Sequence, residues 1–144
     1  RRQGEALAVG DRVVVMRAGQ LVQAGTPEEV FQSPATRFVA SFMGEADFLA
    51  SADIAMIAPG ADGTGVAMVR PDDLTFAPDP AGPVCVVGAE YRGSTWCYDL
   101  RLPSGTIVRS IRPHLDRVDI GTTVTVALVA DHEVVFVRND PSPS

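Results

Sequence analysis

Lysine is absent from this sequence, and its 12 basic residues are all arginines. They stand against 18 acidic residues, which gives the 144-residue chain a formal net charge of −6. Proteins that bind nucleic acid or anionic lipid usually present clustered cations, because contacts with phosphates release counterions. The charge balance therefore disfavours nucleic acid and lipid surfaces as partners.

Long apolar runs are also missing. Apolar runs such as those at residues 126–130 and 13–16 are far shorter than the roughly 18 residues that a membrane-spanning helix needs. No apolar stretch or cleavage site follows the two arginines at the N-terminus, so the sequence predicts no secretory signal. We expect no direct membrane insertion and a cytoplasmic location.

Cysteine is scarce: the two present, Cys85 and Cys97, show neither CxxC nor Cys/His metal spacing. A hairpin with its tip at residues 92–94 places Cys97 opposite Ala89 and Cys85 opposite Arg101. This register argues against a disulfide between the two cysteines.

Catalytic motifs are absent as well: the sequence has no GxxxxGK[ST], GxSxG or HExxH. His114 and His132 lie in predicted turns with no third metal ligand nearby, and a hydrolase would need one of them within hydrogen-bond reach of Ser94 or Cys97. The acidic pairs at residues 28–29 and 72–73 are explained by helix capping and a turn. We therefore predict no catalytic, cofactor-binding or metal-binding residue.

The first 44 residues carry clear helix signals. Thr26 is a good N-cap, Pro27 suits the first helical position, and Glu29 completes a capping box. Residues 35–43 space their apolar side chains as a second short helix, with Gly44 as its left-handed C-terminal residue. Upstream, EALAVGDR predicts the end of a helix, VVVM a buried strand, RAGQ a tight turn and LVQAG a partner strand.

After Gly44 the apolar pattern changes to period two, which is typical of half-buried strands. Turn residues at 92–94, 103–105, 119–121 and 130–133 separate the alternating segments, and residues 58–65 predict a loop. We expect about six or seven strands between residues 47 and 138, an all-β region that is enough for a small antiparallel barrel. One strand face should bury Trp96 with its alternating neighbours Tyr98, Leu100 and Leu102.

Two segments resemble a known family. Residues 3–49, QGEALAVGDRVVVMRAGQLVQAGTPEEVFQSPATRFVASFMGEADFL, resemble the end of the nucleotide-binding domain of ABC importer ATPases. VRPDDL at residues 69–74 resembles the signature of the TOBE regulatory domain in the maltose, sulfate, polyamine and ferric-iron importer subgroup. The resemblance implies a mainly β fold with some α: a short α/β remnant of the ATPase core at residues 1–44, then an OB-like antiparallel β barrel at residues 45–144.

The start of the chain departs from the family pattern. Arg1 and Arg2 stand before Gln3 where the family has an aspartate and a histidine that contacts the nucleotide. We expect either that this histidine has been lost or that the chain starts at an unnatural junction. The phosphate-binding loop, signature and Walker B segments would lie upstream of residue 1.

The resemblance implies a non-catalytic regulatory and dimer-supporting region of an importer ATPase, itself without cofactors. ATP and Mg²⁺ would belong to the intact parent protein, whose partners would be a second ATPase subunit and membrane permease subunits. That protein would lie on the cytoplasmic face of the membrane, and GEADFL with YRGSTW leans toward ferric-iron uptake. The alternative is a free-standing OB-type module that binds a small oxyanion or single-stranded nucleic acid, which would need exposed aromatics in a basic groove.

One turn is a candidate regulatory contact. Arg92, Ser94 and Thr95 bring a guanidinium and two hydroxyls together beside Gly93, which permits close approach. This composition suits a carboxylate or oxyanion. A solvated turn is the alternative interpretation.

Overall fold

A computed structural model describes residues 4–140. This part of the chain is mainly β, with eleven strands in three antiparallel sheets and three short α-helices. None of these helices has the length and hydrophobicity that a membrane crossing requires.

The first sheet contains β1 (Gly4–Val9), β2 (Arg12–Arg17) and β3 (Gln20–Gly25) in that order. Ala18 and Gly19 both have positive φ, 51° and 77°, as two-residue hairpin turns require. The helix end predicted for EALAVGDR is wrong, because residues 4–9 pair with β2 along their whole length. A tight turn at Gly10, whose φ is 65°, reverses the chain there, so pairing overrides the helical preference of Ala, Leu and Glu.

Two helices cover one face of this sheet: α1 (Pro27–Gln32) and α2 (Arg37–Met43). The predicted capping box at α1 is confirmed, since Thr26 Oγ1 accepts from Glu29 N and the Glu29 carboxylate accepts from Thr26 N. Val15, Val30 and Val39 form the small core between sheet and helices. Gly44 follows α2 in an extended conformation (φ 169°), not the left-handed one predicted. A side chain there would press on the Phe31 ring.

The remaining elements build the β domain. In chain order they are β4 (Asp47–Leu49), α3 (Ser51–Ile57), β5 (Val66–Val69), a 3-10 turn (Pro71–Asp73), β6 (Leu74–Pro78), β7 (Val84–Tyr91), β8 (Thr95–Arg101), β9 (Ile107–Pro113), β10 (Thr123–Leu128) and β11 (Val135–Val137). They form a five-stranded sheet, β6-β10-β7-β8-β9, and a three-stranded sheet, β11-β5-β4. The four predicted turns and the loop at residues 58–65 are confirmed.

Two expectations for this region are wrong, although the mainly β, OB-like fold is confirmed. It contains eight strands rather than six or seven, and it is not all β, because α3 buries Ile54 and Ile57 one turn apart. The barrel is open, since no backbone pairing in residues 4–140 joins the edge strands β6 and β9. Within residues 4–140, side-chain hydrogen bonds bridge them: Ser110 Oγ donates to the Leu74 carbonyl at 2.7 Å, and Arg112 Nη1 donates to that of Phe76.

The β7–β8 hairpin carries two further corrections. Cys85 pairs with Arg101 as predicted, but a bulge between Val86 and Gly88 shifts Cys97 opposite Glu90. Both cysteines are free. Trp96 is half-buried rather than buried, although Tyr98, Leu100 and Leu102 in the same row are buried. Its Nε1 donates to the carbonyl of His114, the residue that follows β9, at 3.1 Å.

Candidate functional site

The segment that joins α2 to β4 is held by three arginines of the β domain. Glu45 in this connector and Asp47 at the start of β4 present carboxylates that face the tip of the β7–β8 hairpin and strand β9. We call this cluster the arginine junction; its members are Glu45, Asp47, Arg70, Glu90, Arg92 and Arg109.

Arg92 binds Glu45 in a bidentate pair. Its Nη1 lies 2.6 Å from Glu45 Oε1 and its Nη2 lies 2.7 Å from Oε2, while Nε pairs with Glu90. Both planar groups are aligned, which is the geometry in which arginine binds carboxylates best. The Arg92 hydrogen bond is the main cause that lowers the pKa of the Glu45 carboxyl, and this pairing raises the pKa of Arg92.

Arg109 on β9 holds the same connector from the other side. Its Nη1 donates to Glu45 Oε2 at 2.8 Å, and its Nη2 lies 3.0 Å from Asp47 Oδ1. The Arg109 backbone N–H also donates to Asp47 Oδ2 at 2.9 Å. The hydrogen bonds to Asp47 raise the pKa of Arg109, and they fix β4 against β9.

Arg70 connects the first helices to the β domain. Only 5% of it is exposed, and its guanidinium donates to the backbone carbonyls of Phe31 at 2.9 Å, Glu45 at 2.9 Å and Ala40 at 3.3 Å. It also lies 3.9 Å from the centre of the Phe31 ring. Burial lowers the pKa of Arg70, while Asp73 and Asp72 act in the opposite direction.

The 3-10 turn that follows Arg70 fixes the position of its backbone. Its backbone N–H donates to Asp73 Oδ2 at 2.9 Å, and Pro71 starts the 3-10 turn. The RPDD sequence therefore ends β5 and aims the arginine at the helices. Within residues 4–140, Arg70 Nε is buried without an acceptor. The hydrogen bonds of the guanidinium to the three carbonyls are therefore made by Nη1 and Nη2.

The residues predicted as a regulatory contact lie at one end of this junction. Gly93 has a φ of 84°, as the tight turn requires, and Arg92 N donates to the Thr95 carbonyl at 2.8 Å. Within residues 4–140 the Ser94 and Thr95 hydroxyls make no hydrogen bond, whereas Arg92 is occupied by carboxylates of its own chain. An external anion at Arg92 would compete with Glu45.

Sequence reasoning missed Glu45, Asp47 and Arg109 as members of this cluster. Arg70 carried a signal through the VRPDDL motif and Arg92 through the predicted turn, while the contacts of the missed residues join positions that are far apart in the chain. Glu45 and Arg109, for example, are separated by 64 positions, so the pairing depends on the topology of the sheets.

Metal-ligating side chains do not cluster in the described part of the chain. No group of three or more His, Cys, Asp or Glu residues there could hold a metal ion. The His132 imidazole contacts Asp73 and the Glu133 carbonyl, and neither imidazole hydrogen-bonds Ser94 or Cys97 within residues 4–140. The His114 backbone lies beside Ser94, since its N–H donates to the Ser94 carbonyl at 3.0 Å.

Comparison with known proteins agrees with the fold. The family model of the TOBE domain matches residues 67–136, which run from β5 to β11. The Fe(3+) ions import ATP-binding protein FbpC 1 of Rhodococcus jostii is 40% identical over 112 residues, covering 69% of this chain and 32% of the relative.

Two further relatives extend the comparison. The spermidine/putrescine import ATP-binding protein PotA of Acidothermus cellulolyticus is 32% identical over 147 residues, covering 96% of this chain and 36% of the relative. The sulfate/thiosulfate import ATP-binding protein CysA 2 of Chromobacterium violaceum is 60% identical over 47 residues, a third of this chain. The chain spans about a third of the length of the first two relatives. It contains an OB-like TOBE domain and is similar to the ATP-binding subunits of ABC importers.

Proposed function

We propose that this chain is the C-terminal part of an ATP-binding subunit of an ABC importer, in which it regulates the ATPase and supports its dimer. The observation that carries this proposal is the similarity to PotA of A. cellulolyticus, which covers 96% of the chain. The chain itself does no chemistry in this proposal. ATP and Mg²⁺ act in the remainder of the subunit.

An uncovered apolar face on the first sheet supports the proposal. Leu7, Val9 and Leu21 are 51%, 64% and 61% exposed, and Val14 and Met16 lie in register beside them. Monomeric proteins rarely leave such a patch uncovered. In the proposed subunit, this face packs against the ATPase core, as expected of a segment that ends a nucleotide-binding domain.

The arginine junction gives the proposal a physical route for regulation. Because Arg70, Arg92 and Arg109 fix the connector after α2, a movement of the β domain is passed to α1 and α2 rather than absorbed by a flexible linker. A second ATP-binding subunit that contacts the β domain would then bias the open and closed states of the ATPase.

The proposed partners are this second subunit and the permease subunits in the membrane, which hold the ATPase at the cytoplasmic face. Ferric iron is the proposed solute, and the name of the R. jostii relative supports it. The regulatory contact at Arg92, Ser94 and Thr95 is part of the proposal. A carboxylate or oxyanion that displaces Glu45 from Arg92 would break one of the ion pairs that fix the connector.

A chimera tests the function. The segment of the R. jostii ferric-iron subunit that aligns with this chain is replaced by residues 1–144, and the chimera is expressed in cells that lack the native subunit. We expect ATP hydrolysis and ferric-iron uptake to be restored, whereas deletion of the segment abolishes uptake. A matched chimera of the PotA relative, assayed for spermidine uptake, tests the choice of solute.

Variants of the chimera separate regulation from folding. Arg92→Ala with Ser94→Ala should leave basal ATP hydrolysis unchanged while altering subunit dimerisation or the response to an effector; Arg101→Ala, on an exposed residue of the same hairpin, is the control. A folded chimera that hydrolyses ATP but never couples it to uptake of either solute would contradict the proposal.

A further inference from the structure

A cleft of about 370 Å³ opens on the β domain, between β7, β8 and the loop that connects β9 to β10. Its volume lies at the lower end of the range for small-molecule sites. The lining residues are Ala89, Trp96, Tyr98, Arg117, Val118, Asp119 and Ile120. The cleft lies outside the arginine junction and shares no residue with it.

The wall of the cleft is built from aromatic side chains. The centres of the Trp96 and Tyr98 rings are 6.3 Å apart with 26° between the ring planes, and the centre of the Tyr91 ring lies 5.1 Å from that of Trp96 at a steeper tilt of 55°. Tyr98 is buried, but Trp96 is half-buried and keeps part of its ring accessible. An accessible indole beside a cleft offers a stacking surface for a planar ring.

Both aromatic residues hold the connecting loop in place. The Tyr98 hydroxyl donates to the Asp116 carbonyl at 2.8 Å and accepts from Val118 N at 2.9 Å, and Trp96 Nε1 donates to the His114 carbonyl. The loop between β9 and β10, which forms the other wall of the cleft, is therefore held by the Trp96 and Tyr98 side chains. Such a site is preorganised, which lowers the cost of binding a ligand.

The loop between β9 and β10 contributes two residues of opposite charge, Arg117 and Asp119, to the lining of the cleft. The Arg117 guanidinium lies 5.6 Å from the centre of the Trp96 ring and makes no ion pair or hydrogen bond within residues 4–140. The Asp119 carboxylate also lacks a partner there; only its backbone carbonyl is used, by Thr122. In the same loop, Asp116 pairs with Arg112 at 3.5 Å, so Asp116 does not neutralise Arg117.

We propose that this cleft binds a small zwitterion that carries an aromatic ring, such as an aromatic amino acid. The ring stacks on Trp96, the ligand carboxylate pairs with Arg117, and the ligand ammonium pairs with Asp119. A ligand with one charge alone leaves either the cation or the anion of the cleft without a partner and faces a like charge from the other. The site does not depend on the proposed transport function, because binding is a property of this chain by itself.

Trp96 makes the proposal directly measurable. It is the only tryptophan, so the chain gives one indole N–H signal in a ¹H–¹⁵N spectrum. The full chain is titrated with L-phenylalanine, 3-phenylpropanoate, phenethylamine and L-alanine, which remove in turn the ammonium, the carboxylate and the ring. We expect saturable shifts of the indole signal with phenylalanine, and binding at least about tenfold weaker for each of the other three compounds.

Variants assign the two charges. Arg117→Gln should weaken phenylalanine binding about tenfold or more and remove its advantage over phenethylamine, whereas Asp119→Asn should remove its advantage over 3-phenylpropanoate. Arg101→Gln is the matched control, since it makes the same charge change on the opposite face of strand β8. Far-UV circular dichroism checks that each variant is folded.

Several results would overturn the site. One is the absence of a saturable shift with phenylalanine up to about 10 mM, a concentration at which even a weak ligand of this size should bind. The others are equal binding of all four compounds and an Arg117→Gln variant that binds phenylalanine as well as Arg101→Gln does. The chimera experiment is independent of all of them. Loss of ligand binding with retained transport removes only the site, and loss of transport with retained binding removes only the proposed function.

Discussion

Arg70 is the residue whose loss should disturb the molecule most. Arg70→Met keeps the volume but removes the donors to the carbonyls of Phe31, Ala40 and Glu45 and the contact with the Phe31 ring. We expect the free energy of unfolding to fall by about 2–4 kcal/mol, because buried acceptors lose their partners. Guanidinium chloride unfolding, followed by Trp96 fluorescence, measures the change.

The control for this variant is Arg101→Met, on an exposed side chain that makes no ion pair with the rest of residues 4–140. It should change stability by less than about 0.5 kcal/mol. Arg70→Lys should fall between the two, since one ammonium cannot reach all three carbonyls. If Arg70→Met matched the control, the hydrogen bonds of Arg70 would be energetically unimportant.

Glu45 should make stability depend on acid pH. Its pKa is lowered in the folded chain, chiefly by the Arg92 hydrogen bond, so the ion pair stabilises the fold above the unfolded pKa near 4.5. This contribution is lost as the pH falls through the lower folded pKa. Because 40% of the Glu45 side chain is exposed, Glu45→Gln should cost no more than about 1 kcal/mol at pH 7.

Unfolding of wild type and Glu45→Gln at several pH values measures this dependence. The difference in stability between them should shrink toward zero at the acid end, where Glu45 is protonated in both the folded and the unfolded chain. Glu5→Gln, on an exposed carboxyl outside the junction, is the control. A Glu45→Gln effect that stayed constant from pH 7 to the acid limit would show that packing, not charge, is responsible.

Among the secondary-structure elements, α1 depends most on local signals. It has only six residues, too few to form alone in water, and its capping box supplies two hydrogen bonds at its first turn. Thr26→Ala should therefore lower the free energy of unfolding by about 1 kcal/mol. Thr64→Ala, in the exposed loop before β5, is the control and should be silent in the same denaturation experiment; equal effects of both variants would assign the loss to something other than the cap.

The elements also show what can be predicted from local sequence. The helix signals at Thr26 and Glu29 and the hairpin turn at Ala18 act over a few residues, and both predictions are confirmed. The helix predicted for the residues of β1 was wrong because pairing with β2 decides their conformation. The arginine junction could not be predicted for the same reason: Glu45 meets Arg92 and Arg109 only after β7, β8 and β9 have paired.

For the molecule as a whole, the absence of lysine makes a clear prediction about ATP. A phosphate-binding loop uses a lysine on the β- and γ-phosphates, and this sequence supplies none. We expect the isolated chain to show no saturable heat with ATP or Mg-ATP up to millimolar concentration in a calorimetric titration. The chimera, which contains a complete ATPase core, is the positive control, and a micromolar dissociation constant for the isolated chain would refute the prediction.

The two parts of the chain should unfold as one unit. The division at residue 44 follows the sequence pattern, but contacts cross it at several places. Arg37 N donates to the Arg138 carbonyl, Arg138 N donates to the Ala35 carbonyl, and the Phe38 backbone N–H donates to the Asp140 carboxylate at 2.9 Å. Ala40 of α2 also shares a buried cluster with Met68 and Val137 of the β domain.

Because these contacts and Arg70 join α2 to both ends of the β domain, neither part can open without exposing the core of the other. Differential scanning calorimetry should therefore show a single transition, with a ratio of calorimetric to van 't Hoff enthalpy near 1. In Arg70→Met the transition should broaden or split, since the link through the first helices is cut, whereas Arg101→Met keeps it single. Two resolved transitions in the wild-type chain would mean that residues 4–44 and the β domain fold independently, and that the arginine junction does not couple them.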